Sequence, residues 1–574
     1  MRVDVDQVTY QRFLADAGAF WRSETRPTDP GACVLADARH HDLRVLLRTL
    51  TVANALRRLT PARLVVLANP APCWPLAWGV PYDLDAVMEL AAAFAADEVI
   101  DVDAFAERRL AELATARATP TVDELAPDVD AAYRRITGAP SVTEAARRNQ
   151  DYRRLHARIR VLSRFYAELI AERAPVALVT SEVDYDEWGA AVLEARRAGV
   201  PVIQPLAGGA LRAYALFPEQ DHGAPTFGAA LTPLIGEFFG AQVWPRREHW
   251  RRGVRRVLAR DRAGRGRPTD ARTGPNAAVE IENPTQRRQV RQHVARRLGF
   301  DPNRPVAVVF RHRAQDPVDA RAAAFPDGDA WLDATVAVAR SAREINWLFL
   351  DAPDPAPPAA PPTTARPEDR FAATARECAG HTHLAFRPAA AFSRNALLSL
   401  ADLGVTLHDP VAVEFVAYGL PVVQAGWSPW SDCGLGPVVT DPDQHRRALV
   451  AAVAELAADR PPMTGEQIER ARLWLWLDRA GADVAGPLVP TWAAWPAEHL
   501  LRPLGAYLRH VDPDGDPVFA AVERLWRTRA PLLTRADVAV EVDRSPRSDA
   551  APTVVGVGMV PQTRSSRAAA AAHE

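Results

Sequence analysis

Short, uninterrupted apolar runs alternate along the chain with longer amphipathic stretches, and the alternation occurs in two series. In the first, Cys33-Val34-Leu35-Ala36-Asp37, Leu64-Val65-Val66-Leu67-Ala68, Glu98-Val99-Ile100-Asp101-Val102, Val176-Ala177-Leu178-Val179-Thr180 and Val200-Pro201-Val202-Ile203 read as strands. Between them, 42–58, 85–96, 144–173 and 187–198 carry apolar residues at helical spacing; in 42–58, Leu43, Leu46, Leu47, Leu50 and Ala53 fall on one stripe. Strands without a polar face, separated by helices, mark a parallel sheet covered on both sides.

A second series starts after Pro284. A helix over 286–298 leads to the strand Val306-Ala307-Val308-Val309-Phe310, and a helix over 329–343 to Asn346-Trp347-Leu348-Phe349-Leu350. Leu384-Ala385-Phe386, a segment over 397–400, a strand ending near Thr406, a helix over 411–418 and the strand Pro421-Val422-Val423-Gln424 complete it. The fold class predicted is α/β: two facing Rossmann-like domains with parallel sheets, their functional residues at the strand carboxyl ends. The division expected is an N-terminal extension over 1–30, a first domain over 31–262, a linker over 263–283 and a second domain over 284–460. A helical segment over 461–543, which straps back across the first domain, and a disordered tail over 544–574 follow.

Composition narrows the chemistry. A formal charge of -2 removes the global electrostatic case for a nucleic-acid partner. The 69 cationic residues are all arginine. Mechanisms that need an amine, such as a P-loop lysine or a pyridoxal Schiff base, are therefore excluded. The four cysteines, Cys33, Cys73, Cys378 and Cys433, form no C-x-x-C pair, and no carboxylate/His cluster has metal-ligand spacing, so neither a disulfide scaffold nor a metal site is expected. Acidic residues interrupt the first twenty positions, which argues against a secretory leader, and no window is apolar enough to span a bilayer. A cytoplasmic protein is expected. Ten arginines crowd 246–267. They read as a solvated basic helix or as a peripheral contact with an anionic membrane face.

The richest segment runs Thr406-Leu407-His408-Asp409-Pro410-Val411-Ala412-Val413-Glu414 and then Tyr418-Gly419-Leu420-Pro421. A strand ends at a polar turn, a helix opens with free N–H groups suited to phosphate, and Glu414 can accept a ribose diol or stand as an ordinary helix acid. Glu182, Asp184 and Asp186 cluster after a buried strand, as candidate bases or as caps of the helix that follows. In Gly426-Trp427-Ser428-Pro429-Trp430, two indoles are available to stack on a base or sugar or to pack inward.

The 401–423 segment resembles the donor-binding half of the two-domain GT-B glycosyltransferases, and more narrowly the bacterial capsule polysaccharide biosynthesis proteins, which include Kdo-transferring enzymes. Three more stretches are similar to that group: Phe310-Arg311-His312-Arg313-Ala314-Gln315-Asp316-Pro317, Phe325-Pro326-Asp327-Gly328-Asp329-Ala330-Trp331-Leu332, and Ser181-Glu182-Val183-Asp184-Tyr185-Asp186-Glu187-Trp188-Gly189. The resemblance covers about 33–456. It implies transfer of a sugar from a nucleotide-sugar to a saccharide or lipid-linked acceptor, with the nucleotide-sugar as substrate and no resident cofactor. Glu182, then Asp184, would be the base, and Arg311, His312, Asp316, His408, Glu414, Trp427 and Ser428 would hold the donor. The chain departs from the group at Glu182, where a His is usual, at Leu350-Asp351-Ala352-Pro353, where Lys-x-His-Pro is usual, and at His408-Asp409, where a Gly-Ser or Gly-Thr pair is usual. Arg311, Arg313 and Arg394 are the candidate replacements for the missing cations. An inactive relative that binds within polysaccharide assembly, and a sugar-nucleotide epimerase, are the alternatives.

Overall fold

In a computed structural model of the chain the first apolar series folds into a six-stranded sheet and the second into a five-stranded one. The structure describes residues 6–24, 31–74, 81–113, 125–137, 139, 141–184, 186–206, 210–262, 284–311, 323–351, 370–459, 463–489 and 497–538. The expected linker and tail lie outside them.

The first sheet contains β1 (Cys33–Asp37), β2 (Arg63–Ala68), β3 (Glu98–Asp101), β4 (Pro175–Val179), β5 (Val202–Leu206) and β6 (Arg212–Leu216), in the order β3-β2-β1-β4-β5-β6. All neighbours pair parallel except β6, which returns antiparallel along β5. The second contains β7 (Val306–Phe310), β8 (Asn346–Asp351), β9 (Leu384–Pro388), β10 (Leu403–Thr406) and β11 (Val422–Gln424), in the all-parallel order β11-β10-β7-β8-β9. The strands β1 and β7 are buried at every position, as central strands with helices on both faces must be. Strand order reverses between β1 and β4 and again between β7 and β10. At such a reversal the flanking helices leave in opposite directions, and a crevice opens outside the carboxyl ends.

Local signals set several boundaries. Asp42 caps the helix Leu43–Leu59 through the Arg44 amide, and Asp327 caps Gly328–Ser341 through that of Ala330. The long helix expected over 144–173 is cut instead into Glu144–Arg147 and Gln150–Arg173, because the Asn149 side chain turns back to accept from the Asp151 amide at 3.1 Å. The β6 edge is covered by the C-terminal segment. Leu211 and Val484 exchange backbone hydrogen bonds of 3.0 and 2.9 Å, and Ala215 and Leu533 bond to Pro531 and Ala213 at 2.9 Å. The helix Gln7–Glu24 and the returning helices Ala497–Leu508 and Pro517–Thr528 share one apolar cluster with the first sheet. The strap thus closes over the first lobe.

The lobes meet through the helix Phe227–Phe238, called here the cleft helix, and the turn Ser431–Cys433 of the second lobe. Apolar residues from both sides, including Ile235, Val413, Val416 and Trp430, join one buried cluster. Gly236 permits the approach: a Cβ there would lie 2.6 Å from the Asp432 Cβ and 2.8 Å from its carbonyl oxygen. Gly236→Ala therefore requires backbone displacement at the lobe contact. We expect it to lower unfolding free energy by about 1–3 kcal/mol in urea denaturation; an unchanged midpoint would contradict this packing.

Candidate functional site

The first reversal point is built on a buried ionic network. Asp37, at the end of β1, accepts from Arg39 Nε at 2.8 Å, from Ser181 Oγ at 2.5 Å and from Trp188 Nε1 at 2.9 Å. Burial works to raise its pKa, but Arg39 and the Ser181 and Trp188 hydrogen bonds overcome that and hold the carboxyl below its usual range. Arg39 donates to Tyr166 Oη at 2.7 Å and lies 3.7 Å from Glu187, which also faces Arg158 at 3.7 Å. Asp186 accepts from Trp74 Nε1, takes a left-handed backbone at φ 51°, and is fully buried beside Glu187. Burial first, and the Glu187 charge second, push its carboxyl well above the usual range.

This network pins both ends of the segment that carries the sequence-derived bases. Of the three clustered acids, Asp186 belongs to the network, Glu182 is half-buried, and Asp184 is exposed and lines the space between the lobes. The Glu182 carbonyl accepts from Thr180 Oγ1 at 2.8 Å, so the turn is also held from within.

At the second reversal point Arg311 follows β7. Its guanidinium donates to Asp351 at 3.0 Å, lies 3.6 Å from Asp329 and covers the Phe371 ring. His312, Arg313 and Asp316 lie outside the described residues. After β10, Thr406 Oγ1 accepts from the Asp409 amide at 3.1 Å, and Asp409 Oδ1 accepts from the Val411 amide at 3.0 Å. Asp409 is thereby engaged in opening the helix Val411–Ala417. Glu414 is buried on that helix, with one carboxylate oxygen on Arg394 Nε at 2.5 Å and the other on Arg479. Burial alone would raise its pKa; the two guanidiniums reverse this and hold it below the usual range. Arg479 belongs to the strap, next to Asp478, which pairs with Arg212 of β6. Glu414 therefore stands at the junction of second lobe, strap and first lobe. The sequence offered Arg394 for phosphate; here it serves this carboxylate.

Between the lobes lies a cleft of about 240 Å³. Val183, Asp184, Gln204, Tyr214 and the cleft helix, through Phe227, Leu231 and Thr232, form the first-lobe wall; Ala323, His408, Trp427, Ser428 and Pro429 form the other. The buried Gln424 amide organises the second wall. Its Nε2 donates to the Gly426 carbonyl at 2.7 Å and to Ser428 Oγ at 3.1 Å, while its Oε1 accepts from Trp430 Nε1 at 2.9 Å. Trp430 is thereby drawn into the core, and Trp427 keeps 37% of its surface exposed at the cleft. The two indoles that the sequence left equivalent have separate places. Of the sequence-derived site residues, Asp184, His408, Trp427 and Ser428 come together. Gln204, Tyr214 and the cleft helix escaped the sequence reading: Gly228 and Pro233 break the helical pattern, and β6 begins on an arginine. Among the described residues no group of three His, Cys, Asp or Glu could hold a metal ion.

No family model and no curated protein matches the chain. Solved structures do. A glycosyltransferase from Rickettsia africae is 8% identical over 79% of this chain and 94% of its own, with a TM-score of 0.25. CalG4, the calicheamicin glycosyltransferase, is 16% identical over 85% and 100%, with a TM-score of 0.25. Arabidopsis thaliana UGT89C1 complexed with UDP-L-rhamnose is 14% identical over 84% and 100%, with a TM-score of 0.24. The chain's own strand order shows two α/β lobes with largely parallel sheets, and at such scores no residue or activity carries over from these structures.

Two substitutions test the buried charges. Glu414→Ala leaves two guanidiniums facing an emptied space and is expected to cost about 3–5 kcal/mol in chemical denaturation. Because the Glu414 pKa is lowered by folding, its contribution is present above the ordinary value of 4.5 and disappears as pH falls through the folded pKa. Glu414→Gln should therefore flatten the acid limb of stability; an unaltered acid limb would contradict the pairing. Asp186 behaves oppositely. Its raised pKa makes the native state less stable as pH climbs from the ordinary 3.8 towards neutrality. Asp186→Asn should gain stability relative to wild type at pH 8 compared with pH 4, and an equal difference at both would overturn this reading.

Proposed function

We propose that the protein is a glycosyltransferase that moves a sugar from a nucleotide-sugar to a saccharide or lipid-linked acceptor, in the synthesis of surface polysaccharide or glycolipid at the cytoplasmic face of a membrane. The observation that carries the proposal is the cleft outside the carboxyl ends of both sheets, where Asp184 of one lobe shares a wall-to-wall space with His408 and Trp427 of the other.

Each group has a role its chemistry permits. Trp427 offers an indole face to the nucleobase or sugar. His408 and Ser428 supply polar groups to the departing phosphate, whose developing charge must be stabilised as the anomeric C–O bond breaks and its electron pair passes to the phosphate oxygen. Asp184 takes the proton of the acceptor hydroxyl as its oxygen bonds to the anomeric carbon. Asp184 is preferred to Glu182 as base because it reaches the cleft while Glu182 is half-buried in the turn. The buried Asp37–Ser181–Trp188 cluster would hold that turn still during the reaction.

One observation favours a second reading, a non-catalytic relative that binds a sugar-nucleotide or saccharide. Of Arg311, Arg313 and Arg394, the arginines that would replace the missing phosphate-binding cations, Arg311 and Arg394 each already hold a carboxylate, and Arg313 lies outside the described residues.

Titration calorimetry of the intact chain against CMP-, UDP- and GDP-sugars distinguishes the readings, with NMR analysis of products. We expect binding to one donor class, weakened by about 1–3 kcal/mol in Trp427→Ala. Transfer should fall about 10²–10⁴-fold in Asp184→Asn with donor affinity kept. No heat from any donor would remove the donor assignment. Binding without transfer would establish the second reading, and an epimerised donor as product would make the protein an epimerase.

A further inference from the structure

The ten-arginine stretch contains the helix Arg247–Arg262, which the reaction proposed above does not use. Its two sides differ sharply. Trp250, Val257 and Leu258 are buried, and Trp250 stacks on Trp476 of the strap at a ring separation of 4.4 Å. The contact is backbone-close, since a Cβ on Gly253 would lie 2.4 Å from Trp476 Nε1. The apolar side is therefore spent on the protein itself.

Arg251, Arg252, Arg255, Arg256 and Arg260 are all exposed. At about 100° per residue they occupy one half of the helix circumference, and at about 1.5 Å per residue they extend for about 14 Å. Among the described side chains of the helix, the other exposed ones are Glu248, His249 and Ala259, and Glu248 pairs with Arg251 at 2.9 Å. This is a dense positive face on a chain of net charge -2. Along the chain this helix follows the one that lines the cleft. The cleft helix passes through the short turns Phe239–Val243 and Trp244–Arg246 directly into the arginine helix.

We infer that this face docks the protein on an anionic phospholipid surface. Arginine rows of this kind gain from the negative potential of anionic headgroups without inserting an apolar face, which this helix no longer has free. Single-stranded nucleic acid, the other common polyanion, is bound by combining charge with exposed aromatic rings, and no Phe, Tyr or Trp is exposed on this helix. The surface interaction itself does not depend on the donor assignment.

Vesicle co-flotation of the full chain tests it without donor or acceptor. The protein should float with phosphatidylcholine vesicles containing phosphatidylglycerol, remain behind with phosphatidylcholine alone, and release at about 1 M salt, where the screening length shrinks to about 3 Å. The quadruple variant Arg251→Gln/Arg252→Gln/Arg255→Gln/Arg256→Gln should bind anionic vesicles about a hundredfold or more weakly with its thermal melt unchanged. Arg446→Gln/Arg447→Gln, exposed on the other lobe, should bind as wild type. Equal flotation on neutral vesicles, salt-insensitive binding, or full binding by a folded quadruple variant would overturn the inference. Tighter binding of an oligonucleotide than of vesicles at equal anionic charge would overturn it too, and would name nucleic acid as the occupant.

Discussion

Two consecutive strap residues hold the lobes in their relation to one another. Arg479 binds Glu414 of the second lobe, and Asp478 binds Arg212 on β6 of the first. Glu414 is buried, so its carboxylate has lost hydration that the two guanidiniums replace. Such a pair adds little net stability over an apolar contact of similar volume. Its geometry is demanding, however, because each charge has few alternatives once buried. The strap is thus set in one register across both lobes, and the shape of the cleft follows from that register. Gly236 supplies the steric complement at the same boundary, admitting the Asp432 backbone where any side chain would intrude.

Inside each lobe a comparable logic operates at the strand reversal. Loops that leave the end of a parallel sheet carry amides that must find partners away from water, and in the first lobe Asp37 accepts from the Arg39 and Ser181 amides and Glu187 from that of Ala71, while Arg39 and Arg158 balance the two charges. The consequence reaches the surface through Ser181 and Trp188, which anchor the segment carrying Asp184. The second lobe uses a neutral device for the same purpose: the Gln424 amide gathers Gly426, Ser428 and Trp430, leaving Trp427 outside. The cleft thus combines rigid walls with a few polar groups, the form usual for small-molecule sites.

Much of the scaffold was legible along the chain because its strands are buried on both faces. Cys33–Asp37 and Val306–Phe310 stand at the residues their apolar runs mark out. β6 was not legible: Arg212-Ala-Tyr-Ala-Leu begins on a charge and is a strand because β5 and the strap flank it. The same distinction governs the site. Asp184, His408 and Trp427 lie in the loops that follow strands, and that position, together with the resemblance, pointed to the cleft. The surroundings of Glu414 could not be read locally, since Arg479 is drawn in by the folding of a distant segment. Trp427 and Trp430 look alike in sequence, and only the reach of Gln424 separates them.

The proposed transfer requires that one ligand be gripped from both lobes. Hydrogen–deuterium exchange on the intact chain, with and without each of the CMP-, UDP- and GDP-sugars, tests this most directly. Simultaneous protection of the segments around 181–184, 226–232 and 426–431 is the predicted result. Protection of one lobe alone, or at a distance from the cleft, would contradict it.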